Sequence, residues 1–200
     1  MRALIAASLA LLALTTHGPA YAQQVAPDAF VRVVTDEVLA IVRDDKDIRA
    51  GKPDKIAAVV QEKILPYFDF RRATQIAVGA GWRQATPAQR DALTTEFRTL
   101  LVRTYSGALA NYRGQTIDVL PAHVQAGDDE VTVRCRVRQS GDAPITIEYH
   151  MARAGSTWRV FDISVDGMSL VLNYRTTFSQ EIANRGIDGL IDRLAAKNRG

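Results

Sequence analysis

The sequence predicts an α+β domain in which several helices gather on a curved antiparallel sheet of about four strands. Three observations carry this. Residues 27–113 place apolar side chains at helical spacing, interrupted by Pro, Gly and Asp where helices should end. Residues 116–165 instead fall into short strand-like runs separated by turns rich in Gly, Asp and Ser, and connections this short favour antiparallel pairing. The stretch Trp158–Arg175 then changes period, alternating up to Val165 and becoming helical from Met168, with Asp166-Gly167 as the turn between sheet and helix.

Taken in order, Pro27 and Asp28 suit a first helical turn, and Phe30, Val34, Val38, Ile41 and Val42 form the apolar stripe of the first helix. The charged run near residue 45 and Ala50-Gly51-Lys52-Pro53 read as a solvated break. A second helix is expected from Pro53 to Leu65 on the stripe Ile56, Val59, Val60 and Ile64, stopped by Pro66. Asp69 is placed to cap a short third helix that Gly79-Ala80-Gly81 ends. Thr86-Pro87-Ala88-Gln89 has the form of a capping box with proline at the first helical position, and it opens a long helix expected to reach Tyr112. Strands are expected at 116–120, 130–139, 145–152 and 158–165. In the last of these, Phe161, Ile163 and Val165 should share one face, with Trp158, Val160, Asp162 and Ser164 on the other. A helix from Met168 to about Arg185, a break at Gly186-Ile187-Asp188-Gly189 and a last amphipathic helix complete the chain.

Residues 1–22 have a basic start, an apolar run of about a dozen residues and the ending Ala20-Tyr21-Ala22, the form of a secretory signal peptide cleaved after Ala22. That run is too short for the roughly 20 residues that span a bilayer. The expected mature chain, residues 23–200, is one domain. Losing residues 1–22 removes only Arg2 among the charged side chains, leaving 24 basic against 22 acidic groups and a net charge of about +2. So small a charge gives no support to nucleic-acid binding. The single Cys135 excludes an intramolecular disulfide, and its place among Val131, Val133 and Val137 fits a buried thiol better than a reactive one.

The mature chain holds two histidines, His123 and His150, neither in metal-ligand or triad spacing, and no P-loop, H-E-x-x-H or G-x-S-x-G. His150 reads as a solvent-facing strand residue. Arg134, Arg136 and Arg138 form a basic stripe, read either as a solvated sheet face or edge protection, or as a docking surface for an acidic partner or lipid headgroups. Large apolar and aromatic side chains are plentiful on the long helix and the strands, and periodicity does not separate a filled core from one with a lumen.

Several ordered blocks then carry a resemblance. V-F-D-I-S-V-D-G-M-S-L-V-L-N-Y-R-T-T-F with I-A-N-R-G-I-D-G-L-I-D-R-L behind it resembles the C-terminal signature of the MlaC family, the toluene-tolerance type of phospholipid-binding protein. L-P-Y-F-D-F-R-R-A-T, G-A-G-W-R-Q-A-T-P-A-Q-R and F-R-T-L-L-V-R-T-Y-S-G-A-L-A-N-Y match the same family in the same order, so the likeness covers nearly all of the mature chain. It implies a monomeric periplasmic carrier without enzymatic activity or cofactor, with phospholipid as cargo. Such a carrier passes lipid between an outer-membrane lipoprotein complex and an inner-membrane ABC transporter complex, which maintains outer-membrane lipid asymmetry. The acyl tails are expected in an apolar cavity between helices and sheet. Combining that expectation with the periodicity, the tail-contacting candidates are Phe97, Leu101 and Tyr105 on the long helix, Val133, Ile147, Tyr149, Ile163 and Val165 on the strands, and Leu170, Val171 and Tyr174 after the turn. A reading from another class, an exported enzyme acting on an apolar substrate, would require a polar reacting group inside that cavity.

Overall fold

The structure, a computed structural model, describes residues 25–125, 127–139, 141 and 143–199, so the expected signal segment and its cleavage point lie outside the described residues. The order of elements is helices, strands, helix, as the periodicity predicts. Helix α1 (Pro27–Asp44) buries Val31, Val38 and Val42. The charged run after it proves to be more than a solvated break. Asp45 accepts from the backbone N–H groups of Asp47 and Ile48 at 2.8 and 3.2 Å and caps a short helix, α2 (Lys46–Arg49), whose Ile48 is fully buried.

Helix α3 (Pro53–Val59) does not continue to Leu65 as a regular helix: it widens to a π turn at Val60–Ile64 and tightens to a 3-10 turn at Leu65–Tyr67. Asp69 caps α4 (Phe70–Val78) through the Arg72 N–H at 2.9 Å. After the short α5 (Gly81–Gln84), the expected capping box opens α6 (Pro87–Tyr105): the Thr86 hydroxyl accepts from the Gln89 N–H at 3.2 Å, and the Gln89 side chain accepts from the Thr86 N–H at 3.0 Å. The α-helix stops at Tyr105, seven residues short of the expected Tyr112, and runs on as a 3-10 segment, Ser106–Asn111.

The sheet has five antiparallel strands in sequential order, one more than expected: β1 (Thr116–Val119), β2 (Glu130–Arg138), β3 (Ile145–Ala154), β4 (Thr157–Val165) and β5 (Met168–Ser169). The addition, β5, corrects the reading of Met168 as the start of a helix. Asp166 and Gly167 have φ of 47° and 81°, two successive left-handed residues that make a tight hairpin of the I′ kind, and the chain turns back to pair Met168 with Val165. The helix begins only after a 3-10 turn at Leu172–Tyr174, as α7 (Arg175–Arg199), which kinks at Gly186 (φ 72°, ψ −178°). Glu181, only 5 % exposed, ties the two limbs of α7 together by pairing with Arg185 at 3.2 Å and with Arg193 beyond the kink.

The faces of β4 also differ from expectation. Asp162 lies opposite His150 while Val160 lies opposite Met151, so Phe161 is an extra residue in β4, a β-bulge. The bulge shifts the alternation by one. Trp158 and Val160 therefore share the core face of the sheet with Ile163 instead of opposing it. Just outside the bulge, Phe68 pairs with Val160 and the Asp69 N–H donates to the Val160 carbonyl at 2.8 Å, which fixes the start of α4 to the strand.

The interior is divided into three apolar clusters. One joins α4, α6 and α7 around Phe97, another lies between α1 and the sheet around Val133 and Met151, and the last joins α1, α2, α3 and the end of α6 around Val42 and Ile48. Among the described residues no helix is long and apolar enough to cross a membrane.

Candidate functional site

An apolar cavity of about 180 Å³ opens where the three clusters approach one another. Val60, Ile64, Leu65, Val102 and Leu109 reach it from the α1–α3 side, Ala73, Leu101 and Val171 from the helical side, and Phe68 and Ile163 from the sheet. Irregular backbone supplies much of the wall: the π turn, the 3-10 segments Leu65–Tyr67 and Ser106–Asn111, and the bulge residue Phe161.

Of the eleven side chains chosen from the sequence, Leu101, Tyr105, Ile163, Leu170 and Val171 line this cavity. The other six do not. Phe97 is fully buried among the helices, its ring edge-on to Tyr174 at 5.1 Å and to Phe178 at 5.2 Å, so Phe97 and Tyr174 belong to a packed aromatic cluster. Val133 is fully buried with Cys135 and Met151 on the core face of the sheet, and Ile147 and Tyr149 pack there too. Val165 ends β4 between Ile147 and Met168.

Val102, which the choice from the sequence leaves out, is hidden by treating α6 as having one apolar stripe. Leu100, Leu101 and Val102 are consecutive, and at about 100° per residue three apolar side chains in a row reach round more than a single core-facing stripe. Leu100 enters the helical cluster, Leu101 the cavity wall, and Val102 packs on the α1–α3 cluster while also meeting the cavity. That run was the signal that α6 is covered on several sides.

Chemically the wall has little to offer a reaction. Tyr105 holds its proton up to about 12, first because it is withdrawn from water and then because of Tyr174 beside it. Asp162, 6 % exposed, is the carboxylate in the wall, and backbone and neighbouring side chain occupy it: Oδ1 accepts from the Ile163 and Val171 N–H groups at 2.8 and 3.2 Å, and Oδ2 accepts from the Ser169 hydroxyl. This residue fastens the segment after β5 to β4. Asp162→Ala removes the acceptor for those three donors and should cost about 2–3 kcal/mol in chemical denaturation, with Asp162→Asn recovering part of it through its remaining carbonyl oxygen.

Outside the cavity, Cys135 is fully buried and burial pushes its thiol up to about 11, so it stays protonated at neutral pH, as a core residue. Burial likewise raises the Tyr149 phenol. His150 accepts or donates between Thr132 Oγ1 at 3.1 Å and Ser164 Oγ at 3.0 Å on the face of the sheet away from the core. No group of three or more His, Cys, Asp or Glu able to hold a metal occurs among the described residues. Of the strand arginines, Arg134 pairs with Glu148 at 2.6 Å and Arg138 with Asp118, which neutralises most of the basic stripe.

Comparison with known proteins agrees with this picture. The family described as MlaC protein matches residues 32–196. The intermembrane phospholipid transport system binding protein MlaC of Haemophilus influenzae is 22% identical over 175 residues, covering 86% of this chain and 81% of that protein. Toluene tolerance protein ttg2D of Pseudomonas putida is 24% identical over 174 residues, covering 86% of this chain and 80% of that one. A solved structure of the phospholipid-binding protein from Ralstonia solanacearum in complex with a phospholipid superposes with a TM-score of 0.79 at 39% identity, covering 87% of this chain and 97% of that chain. With its architecture, its ordered sequence blocks and most of its length matched, the chain belongs to the MlaC family.

Proposed function

We propose that this protein is a phospholipid carrier that holds acyl tails in the cavity between α4, α6 and β4. The observation that carries the reading is the apolar cavity where three separate cores meet, walled mostly by apolar side chains, with its one lining carboxylate, Asp162, engaged by hydrogen bonds. Two tails of about 30 methylenes lose on the order of 24 kcal/mol when exposed to water, at about 0.8 kcal/mol each. A water-filled compartment is crossed only if a protein encloses them. Transfer from a bilayer into an equally apolar pocket is close to neutral, so direction comes from partners or from lipid supply, not from the carrier.

The compartment in this reading is the periplasm, reached after removal of residues 1–22. The protein works there as a monomer with its cargo's headgroup towards solvent, between an outer-membrane lipoprotein complex and an inner-membrane ABC transporter complex. At about 180 Å³ the cavity is smaller than the roughly 300–1,000 Å³ of pockets that hold drug-sized ligands, so tails enter by parting its walls. The π turn, the 3-10 segments and the two-residue β5 are the places to yield, because such elements have poorer hydrogen-bond geometry or few ladder bonds. Native mass spectrometry of protein purified gently from cells tests the reading: phospholipid-sized mass adducts are expected, and repeated recovery of bare protein rejects it.

A further inference from the structure

A second concavity, of about 860 Å³, lies on the opposite side of α4 from the cavity and has an entirely different lining. Arg71, Arg72, Arg83, Arg90 and Arg175 line it, against one acid, Asp69, which is already engaged as the cap of α4. Trp82 lies at its floor, 6 % exposed, with the guanidiniums of Arg71 and Arg90 each 5.5 Å from its ring centre. Arg71 is paired with Asp91 at 2.6 Å and Arg72 with Glu130, while Arg90 donates to the Trp82 carbonyl at 3.0 Å. Arg83 and Arg175 have no acidic partner among the described residues, and both are exposed.

The placement of Arg175 is built into the fold. Its guanidinium lies against Gly79, where a Cβ would stand 3.2 Å from both Nε and Nη2, and Gly79 has φ +62°, so a residue with a side chain is disfavoured there twice over. The cleft is thus shaped to bring an unpaired cation over the end of α4. Across a chain whose net charge is only +3, this is a local concentration of positive charge and not a general property of the surface.

We propose that this cleft is a docking site for an acidic segment of a protein partner, a protruding loop or terminus carrying several carboxylates. Arginine forks recognise carboxylates in pairs, and the partly desolvated Trp82 floor strengthens such contacts. Concavity favours a protruding chain over a bilayer, which presents a flat surface. The position also has a consequence for cargo. Arg72 lies 3.9 Å over the ring of Phe161, a cavity-wall residue, and Arg175 directly follows the segment carrying Leu170 and Val171. A carboxylate in the cleft competes with Glu130 for Arg72, and Arg72 lies on α4, the helix whose other side lines the cavity. The docking proposal stands on the cleft alone and does not require the carrier reading.

The test uses mature protein and a fluorescent hexaglutamate peptide, followed by anisotropy at low and high salt. Salt-sensitive binding is expected, weakened at least tenfold in Arg83→Glu/Arg175→Glu and less in Arg83→Gln/Arg175→Gln, with melting temperature and recovered lipid unchanged in both variants. Absent peptide binding, or equal binding by wild type and variants, overturns the proposal. Sedimentation with phosphatidylglycerol vesicles is run alongside: vesicle binding that the variants abolish, without peptide binding, overturns it in favour of a lipid-surface site. If folding fails in the glutamate variant, the glutamine variant decides.

Discussion

Phe97→Ala should lower stability by about 3–5 kcal/mol, the usual cost of emptying a fully buried aromatic site. In a protein of this size that corresponds to a fall in melting temperature of roughly 6–20 °C. The ring fills the space between Tyr174 and Phe178, with edge-to-face contacts to both, and neighbouring Leu93 and Leu100 are themselves almost fully buried and cannot collapse far. Because Phe97 lies in the helical core and away from the cavity wall, whatever fraction remains folded should still carry lipid. Calorimetry and native mass spectrometry on the same preparation separate these readouts. A small shift in melting temperature together with lost lipid would return Phe97 to the list of tail contacts.

The sequence made the order of elements legible because each boundary is marked by chemistry local to the chain: Pro27, the capping residues Asp69 and Thr86, and the turns between strands. The alternation of β3 runs uninterrupted up to His150 and keeps Ile147 and Tyr149 on the core face. The misread places depend on partners distant in sequence. Whether Phe161 is accommodated as a bulge is decided by pairing with β3 and by the bridge from Phe68, neither of which β4 announces. Asp166-Gly167 did announce itself, as an Asp-Gly dipeptide between strand-forming residues is a hairpin signal, but the helical spacing of the residues beyond it masked a strand of two residues.

The cavity was harder still, for a physical reason. A lumen and a packed core present the same apolar side chains, and they differ only in whether opposing surfaces meet. Here they fail to meet because α6 loses its regular form at Tyr105 and the helix before α4 widens at Val60, two changes of backbone geometry that the apolar pattern does not encode. Residues that flank those changes, Leu101 and Tyr105 among them, therefore reach the cavity wall, whereas Phe97 one turn earlier lies in solid core.

That distinction sets the second large effect, the converse of the first. Ala73→Phe should abolish most lipid retention, reducing recovered adduct at least tenfold, while costing no more than about 1–3 kcal/mol of stability. Ala73 is 2 % exposed, sits on α4 and lines the cavity. A cavity of about 150 Å³ accommodates a benzene ring, so a phenyl group placed here has about 180 Å³ in which to settle without pushing the core apart. In the carrier reading proposed above, occupying the lumen removes the room from which tails part the walls. Val171→Glu is a less discriminating variant, because Val171 belongs to both the helical core and the cavity wall, and its loss would disturb folding and binding together. Lipid recovered in full from a folded Ala73→Phe protein would place the tails elsewhere. Loss of lipid at nearly unchanged melting temperature, set beside retained lipid at lowered melting temperature in Phe97→Ala, assigns the two neighbouring sites to opposite roles.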